Sequence, residues 1–321
     1  MYKIGFIGLG KISTRHVAGI KNSDGFLQFT GGYDINIKTS EMFVKKNGGE
    51  IFSSPDEVIA KNDIIAVLTS HDTHAVMIKK IIAANKICIC EKPICLHKDE
   101  LSSIDNNVGR NIFCISQNRY NKAVCLAKEK MQSLGKIRFI QANTFWYRNA
   151  EYYTLSSWRG EAEKEGGILY NQGYHLLDAI LYLLDATSKD CRIVFAQKEN
   201  FEKSIKDTES YIKIILCVKG VMVDILVTTI FAKENFENSI VVAGENESIK
   251  ISGNHLNEIE FPRECAFEYA DKNIYGSSHI KNYNDILAAL SGEENQIVNI
   301  NEALDRINLL EKIYLFANER E

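Results

Sequence analysis

The sequence predicts an α/β protein in two parts: a doubly wound, mostly parallel sheet, then an α+β domain on a mostly antiparallel open sheet. Three observations predict it. Short apolar runs of strand type alternate with helical patterns through the first third of the chain. After about residue 120 the runs lengthen and take on the partial alternation of strands with one buried face. The 321 residues also exceed the size at which a single core usually stops growing. The expected division is 1–120 and 121–321, with the C-terminal helix free to pack back on the first domain.

The chain opens on the strand-type run Lys3–Ile7, followed by Gly8-Leu9-Gly10-Lys11-Ile12-Ser13 and a helical pattern from Thr14 to Ile20. This is a G-x-G-x-x-S form of the dinucleotide fingerprint of a Rossmann-type sheet. Gly8 allows the tight turn, Gly10 lets a backbone approach a pyrophosphate, and the third position needs only a small residue. The helix N-terminus supplies N–H groups and a positive dipole end. Gly8, Gly10, Lys11 and Ile12 are therefore candidate cofactor contacts, the alternative being an ordinary strand-to-helix turn.

The second strand, Leu27–Tyr33, ends in Asp34, where a carboxylate accepts from the adenosine ribose hydroxyls. A carboxylate there repels a ribose phosphate, so NAD is expected over NADP. Asp34 has a second reading as the cap of the helix starting near Ile35. Ser53–Glu57 starts a helix with proline just inside it, and Asp63–Leu68 is a continuous apolar strand. Thr73–Ala84 is expected as helix, Ile87–Cys90 as strand, Asp99–Asn106 as helix and Asn111–Ser116 as the last strand. Glu91-Lys92-Pro93 closes the strand before it, setting an amine at the carboxyl edge, where ligands bind in such sheets.

In the second part, strands are expected at Lys136–Tyr147, Cys191–Asn200, Glu209–Val218, Val221–Phe231 and Ser239–Val242, with a hairpin turn at Lys219-Gly220. A helix is expected over Ile168–Leu184, and others near His279–Leu290 and Asn301–Asn318, with the ligand between the two domains.

Composition narrows the class. A hydrophobic content of 45% supports full cores, and no apolar run approaches the roughly 20 residues that span a bilayer. The start of the chain lacks the layout of a signal peptide, so a cytoplasmic protein is expected. A net charge of −4 with scattered Lys and Arg offers no basic stripe for nucleic acid. The eight cysteines include no C-x-x-C pair and lie largely in apolar runs, so they read as reduced thiols, and no metal is expected.

A second constellation is Gly166-Gly167-Ile168-Leu169-Tyr170-Asn171-Gln172-Gly173-Tyr174-His175-Leu176-Leu177-Asp178. On a regular helix Asn171, His175 and Asp178 share one face, with apolar residues filling the other directions. A lone histidine there reads equally well as a satisfied core residue.

Together these motifs resemble the Gfo/Idh/MocA oxidoreductase family along the whole chain, through Gly8-Leu9-Gly10, Thr69–His74, Glu91-Lys92-Pro93, Gly166–Asp178 and Asn282–Leu290. The resemblance implies a substrate pocket lined by Lys92 and His175 beside the nicotinamide, with Thr69, His71, His74, Glu91 and Asn118 along the cofactor. Family members often carry Asp where this chain has Asn171, and Thr-Pro where it has Thr69-Ser70. Finer features resemble the UDP-N-acetyl-2-amino-2-deoxyglucuronate 3-dehydrogenases of surface-polysaccharide synthesis. These are Gln117–Asn121, Trp146-Tyr147-Arg148, Tyr152-Tyr153, Trp158-Arg159-Gly160, Asn171-Gln172-Gly173 and Gly253–Asn257.

Oxidising a secondary alcohol needs a base for the hydroxyl proton. Lys92, desolvated and beside the positive nicotinamide, is the first candidate, and His175 the second. Asn171 and Gln172 orient the sugar, and Arg148, Arg159 and Arg119 are candidates for its anionic group. Tyr147 and Trp158 are candidates for stacking. Three readings stand: an NAD-dependent C3 dehydrogenase of a UDP-linked amino sugar or uronate, a dehydrogenase of a free cyclic polyol or aldose, and a non-catalytic NAD-binding regulator. By family analogy the second sheet makes a homodimer or homotetramer.

Overall fold

The computed structural model describes residues 1–319 except 24, 156, 232 and 266–273, so the expected second domain includes stretches outside the described residues. By contacts the chain forms two compact units, Met1–Gln117 with Tyr275–Leu304, and Asn118–Ile274 with Asp305–Glu321. The stretch 275–304 is thus grouped with the first unit, whereas a cut at 120 assigns it to the second.

The first unit contains β1 (Tyr2–Ile7), α1 (Ser13–Lys21), β2 (Leu27–Tyr33), α2 (Ile37–Asn47), β3 (Glu50–Ile51), α3 (Pro55–Lys61), β4 (Ile64–Val67), α4 (His71–Ala83), β5 (Ile87–Cys90), α5 (Asn106–Gly109) and β6 (Ile112–Cys114). Asp99–Asn106 is not a helix. A single 3-10 turn at Lys98–Glu100 and the short α5 replace it. The Ser102 hydroxyl bonds back to the Asp99 carbonyl and Asp105 caps α5, local bonds that compete with a continuous helix. α3 starts as its sequence dictates, with Ser54 accepting from the Glu57 N–H and Pro55 at its first turn.

Among the described residues the second unit carries α6 (Lys122–Lys130), β7 (Ile137–Phe145), α7 (Ala150–Thr154), α8 (Ala162–Glu165), α9 (Tyr174–Leu183), β8 (Cys191–Glu199), β9 (Tyr211–Val218), β10 (Val221–Thr228), β11 (Glu237–Gly244), β12 (Ser248–Ser252) and β13 (Glu258–Phe261). α10 (Ile274–Ser291), β14 (Val298–Asn299) and α11 (Ile300–Asn318) complete the chain.

The first sheet runs β14-β6-β5-β4-β1-β2-β3, parallel except for β14 against β6. Its order reverses between β1 and β4, the switch point at whose carboxyl edge such sheets bind ligands. The core of this unit runs through Ile4, Phe6, Ile64, Ala66, Ile89 and Phe113 to Tyr283 and Ile286 of α10. The second sheet runs β13-β12-β11-β7-β10-β9-β8 and is antiparallel except for β7 with β10. Val218 opposes Val221 across Lys219 and Gly220, whose φ values of 49° and 82° make the expected tight hairpin. Ile212, Ile214, Val223, Ile225, Ile140, Val242 and Ile249 form its buried face. Among the described residues no helix is long and apolar enough to cross a membrane.

Candidate active site

In the first unit, β1, β4 and β5 deliver the fingerprint loop, Thr69 and Lys92 to one edge of the sheet. Gly8 has φ +94°, and a Cβ there would lie 2.6 Å from the Leu68 carbonyl oxygen, so only glycine fits. A Cβ at Gly10 would meet nothing within 4 Å, leaving the backbone open to a ligand, with Lys11 exposed and Ile12 half-buried beside it. α1 has no side-chain cap; its Ser13 N–H turns back to the Gly10 carbonyl at 3.1 Å and its Arg15 N–H to that of Ile12 at 2.9 Å, which closes the loop onto the helix start. Asp34 does not cap α2; Asn36 does. The Asp34 carboxylate instead accepts the N–H of Leu9 and of Asn36, at 2.9 Å each, tying the glycine loop to the end of β2. Each of its oxygens keeps a lone pair for a ribose hydroxyl. These features fit a dinucleotide.

Glu91, expected to face the cofactor, is turned inward. Its Oε1 lies 3.1 Å from His16 Nε2 and 3.4 Å from His279 Nε2, and its Oε2 accepts the Lys92 N–H at 3.1 Å. His16 Nδ1 meets the Tyr283 hydroxyl at 2.9 Å, and both imidazoles are fully buried. Burial pushes the Glu91 carboxyl up, but the two imidazole hydrogen bonds outweigh it and hold the group well below its usual range. Burial lowers His16, so a neutral ring donates to an ionised Glu91. His74 is also fully buried and lowered by burial, with Nδ1 2.7 Å from the Pro93 carbonyl and Nε2 3.2 Å from that of Thr69. It therefore braces the Lys92-Pro93 turn and faces backbone. His71 is buried, with its ring 5.9 Å from that of His74. Lys92 itself is half-buried.

These histidines imply acid sensitivity. Below the ordinary histidine pKa of 6.5 the unfolded chain takes up protons that buried His16 and His74 refuse, and below the ordinary range of Glu the same holds for Glu91. Stability is therefore present at neutral pH and falls on acidification, by about 1.4 kcal/mol per pH unit for each proton. Glu209, raised by burial, acts in the opposite sense nearer its own range. Calorimetry should show the melting temperature dropping between pH 7 and 5; a flat profile would contradict the neutral, buried assignment.

In the second unit the expected Ile168–Leu184 helix is present, and its opening stretch Leu169–Gly173 is a π-helical turn that runs directly into α9. The wider turn takes Asn171 off the regular face on which His175 and Asp178 of α9 lie three residues apart. Asp178 is buried and salt-bridged to Arg119, which donates Nε at 2.8 Å and Nη2 as a fork, and Arg306 adds Nε at 3.2 Å. This corrects Arg119 as an anion receptor, since it is 3% exposed and its guanidinium is committed to Asp178. Gly167, at φ +105°, sits where a Cβ would lie 2.3 Å from the Tyr314 hydroxyl, which donates to Glu209 beneath the turn.

The π turn instead gathers the other candidates around Tyr152 of α7. The Tyr152 hydroxyl accepts Asn171 Nδ2 at 3.2 Å and Gln172 Nε2 at 3.3 Å, while Asn171 also donates to buried Glu165. The guanidinium carbons of Arg148 and Arg159 lie 5.0 and 4.0 Å from the Tyr152 ring centre, and Arg159 lies 5.3 Å from that of Trp158. Among the described residues neither arginine has a carboxylate partner. Tyr147 is 37% exposed and held through its N–H by Asn235. His175 is half-buried on α9, and Asn118 is buried near Asn121.

Residues 2–111 match the oxidoreductase family's NAD-binding Rossmann fold, and residues 127–250 match the GFO/IDH/MocA C-terminal domain. The chain belongs to the Gfo/Idh/MocA oxidoreductase family. NAD is accordingly its cofactor. It is 30% identical over 200 residues to the glucose-6-phosphate 3-dehydrogenase of Bacillus subtilis (58% of this chain, 55% of that one). It is 25% identical over 235 residues to an inositol 2-dehydrogenase of Cereibacter sphaeroides (70% and 66%). The chain thus spans a little over half to two thirds of these curated relatives. The WlbA dehydrogenase of Bordetella pertussis, solved with NADH and UDP-GlcNAcA, superposes with a TM-score of 0.88 at 24% identity, over 99% of this chain and 96% of that one.

In this family member the sequence reading missed His16, His279, Tyr283, Glu165 and the central place of Tyr152. The one local signal was His16 on the inward face of α1, one turn before Ile20.

Proposed function

We propose that this protein is an NAD-dependent dehydrogenase that oxidises C3 of a UDP-linked N-acetylamino sugar or its uronate, in surface-polysaccharide sugar synthesis. The observation that carries the reading is the pair of guanidiniums, Arg148 and Arg159, converging on Tyr152 with no ion-paired carboxylate among the described residues. Such a cluster favours an anionic sugar. The bound UDP-GlcNAcA of the Bordetella dehydrogenase, and the name of a UDP-N-acetylglucosamine 3-dehydrogenase from Acidithiobacillus ferrooxidans with a TM-score of 0.76, support the choice.

NAD, when bound, supplies the carbon that accepts a hydride from the alcohol. Lys92 takes the hydroxyl proton, its backbone held by Glu91 and by His74 through Pro93. His175 shares or relays that proton, and Asn171, which has no proton to move, orients the sugar. The likeness to the glucose-6-phosphate and inositol enzymes favours oxidation of a free sugar or polyol as a second reading. The reading extends to a cytoplasmic homodimer or homotetramer through the outer face of the second sheet, where Phe139 and Met222 are each 38% exposed.

The test is calorimetric titration of UDP, UDP-N-acetylglucosamine and its uronate into NAD-saturated protein, with the NADH absorbance followed in parallel. Binding with NADH formation is expected, light scattering should show an oligomer, and a monomer would remove the assembly. Absence of binding by all three would sink the sugar-nucleotide reading in favour of the free sugar.

A further inference from the structure

We propose that the Tyr152 hydroxyl donates a hydrogen bond to the acidic group of the sugar, so that Tyr152 selects an oxyanion-bearing substrate over its neutral counterpart. The inference rests on the anionic-sugar reading above and gives Tyr152 a role that reading does not contain.

The phenol oxygen already accepts two amide N–H groups, from Asn171 and Gln172. Both of its lone pairs are thereby used, and its own hydrogen must point elsewhere. Among the described residues no acceptor meets it. The surroundings show the same imbalance. Gln172 is 2% exposed, yet among the described residues its Oε1 has no hydrogen-bond partner, and the buried Nε of Arg148, Nε of Arg159 and Nε1 of Trp146 have none either. Native interiors seldom leave such atoms unsatisfied unless a ligand completes them.

The pattern of open groups also indicates the ligand's chemistry. In each guanidinium Nη1 turns back onto the chain: Arg148 to the Tyr147 carbonyl at 2.8 Å and Asn235 Oδ1 at 3.2 Å, and Arg159 to the Tyr152 carbonyl at 3.5 Å. The unpartnered Nε thus lies on the edge that grips a carboxylate or phosphate side-on. Three N–H donors and one O–H donor stand against a single open acceptor, Gln172 Oε1. A neutral polyol, with as many hydroxyl donors as acceptors, matches that balance poorly; a sugar with an oxyanion and an adjacent hydroxyl matches it well. The nearby carboxylate of Glu165 accepts the Gly160 N–H and the Asn171 amide and is not in ion-pair contact with either arginine. A tyrosine needed only as a packing surface for two cations would not require its hydroxyl.

Tyr152→Phe keeps the ring and both cation contacts and removes one oxygen. Calorimetry on the NADH-loaded wild type and variant would compare UDP-N-acetylglucosamine with its uronate. The wild type should prefer the uronate, and the variant should bind the uronate about tenfold or more weakly while holding the neutral sugar within about twofold, as expected for a hydrogen bond to a charged group. An equal loss on both sugars would mark a structural role and overturn the proposal, as would no loss on either, or a wild type without preference. If the wild type binds neither sugar nucleotide, the UDP-sugar reading fails. Glucose 6-phosphate then supplies the oxyanion from a different source. Weaker binding to the variant would support the proposal, and equal binding or none would overturn it.

Discussion

Asp178→Ala is expected to destabilise the second unit by about 3–5 kcal/mol, the usual cost of leaving buried charges without their counterion. Asp178 is 3% exposed and serves two arginines, Arg119 and Arg306, each also 3% exposed. Burial pushes the Asp178 carboxyl up, yet the charge and hydrogen bonds of Arg119, and then of Arg306, hold it below its usual value. Removing it takes away the carboxylate that Arg119 forks, while Arg306 keeps its ion pair to Asp305 at 3.3 Å. Asp178→Asn preserves shape and some hydrogen bonding and should fall between wild type and alanine. The two tryptophans, Trp146 and Trp158, both belong to the second unit, so urea unfolding followed by their fluorescence reports on it directly. A loss below about 1 kcal/mol would mean that water reaches the arginines and that the pair is not the unit's electrostatic centre.

Lys92→Ala should lower kcat by about 10²–10⁴-fold, the range for losing a positioned proton-transfer group. NADH binding should change little, since the fingerprint loop and Asp34 are set by β1 and β2. Lys92→Arg should not rescue turnover, because a guanidinium keeps its proton at any working pH. The measurement is steady-state kinetics on whichever sugar the titrations identify. Undiminished activity in the alanine variant would remove Lys92 from the chemistry and strengthen the reading of the protein as an NAD-binding regulator.

The legible parts of the molecule were those written within a few residues. The fingerprint loop, the alternation of the first sheet and the Lys219-Gly220 hairpin depend on local conformational preference, so a short window contains their cause. Local competition misled the reading only at Asp99–Asn106, where short polar side chains bond the backbone before a helix can extend. The site was read less well because its partners are distant in sequence. Glu91 meets His279 across 188 residues, and Asp178 meets Arg306 across 128. No spacing rule announces such pairs. Asn171 and His175 look like one helical face only if the helix is regular, and the π turn over Leu169–Gly173 removes that premise. The same turn brings Asn171 and Gln172 to Tyr152, a hub that the sequence displayed only as one of two adjacent tyrosines.

The first unit is interrupted in the chain, since Tyr275–Leu304 returns to it after the whole of Asn118–Ile274. On a ribosome, Met1–Gln117 emerges well before the segment that supplies His279, Tyr283, Ile286 and β14. Until then Glu91 lacks one of its two imidazoles, β6 presents a bare edge, and Phe6 and Val17 face a core without its last helix. Domains that emerge first usually fold first. Here the nucleotide-binding half must wait until the whole of Asn118–Ile274 has been made, and the nascent segment Met1–Gln117 stays exposed to chaperones and proteases through that interval.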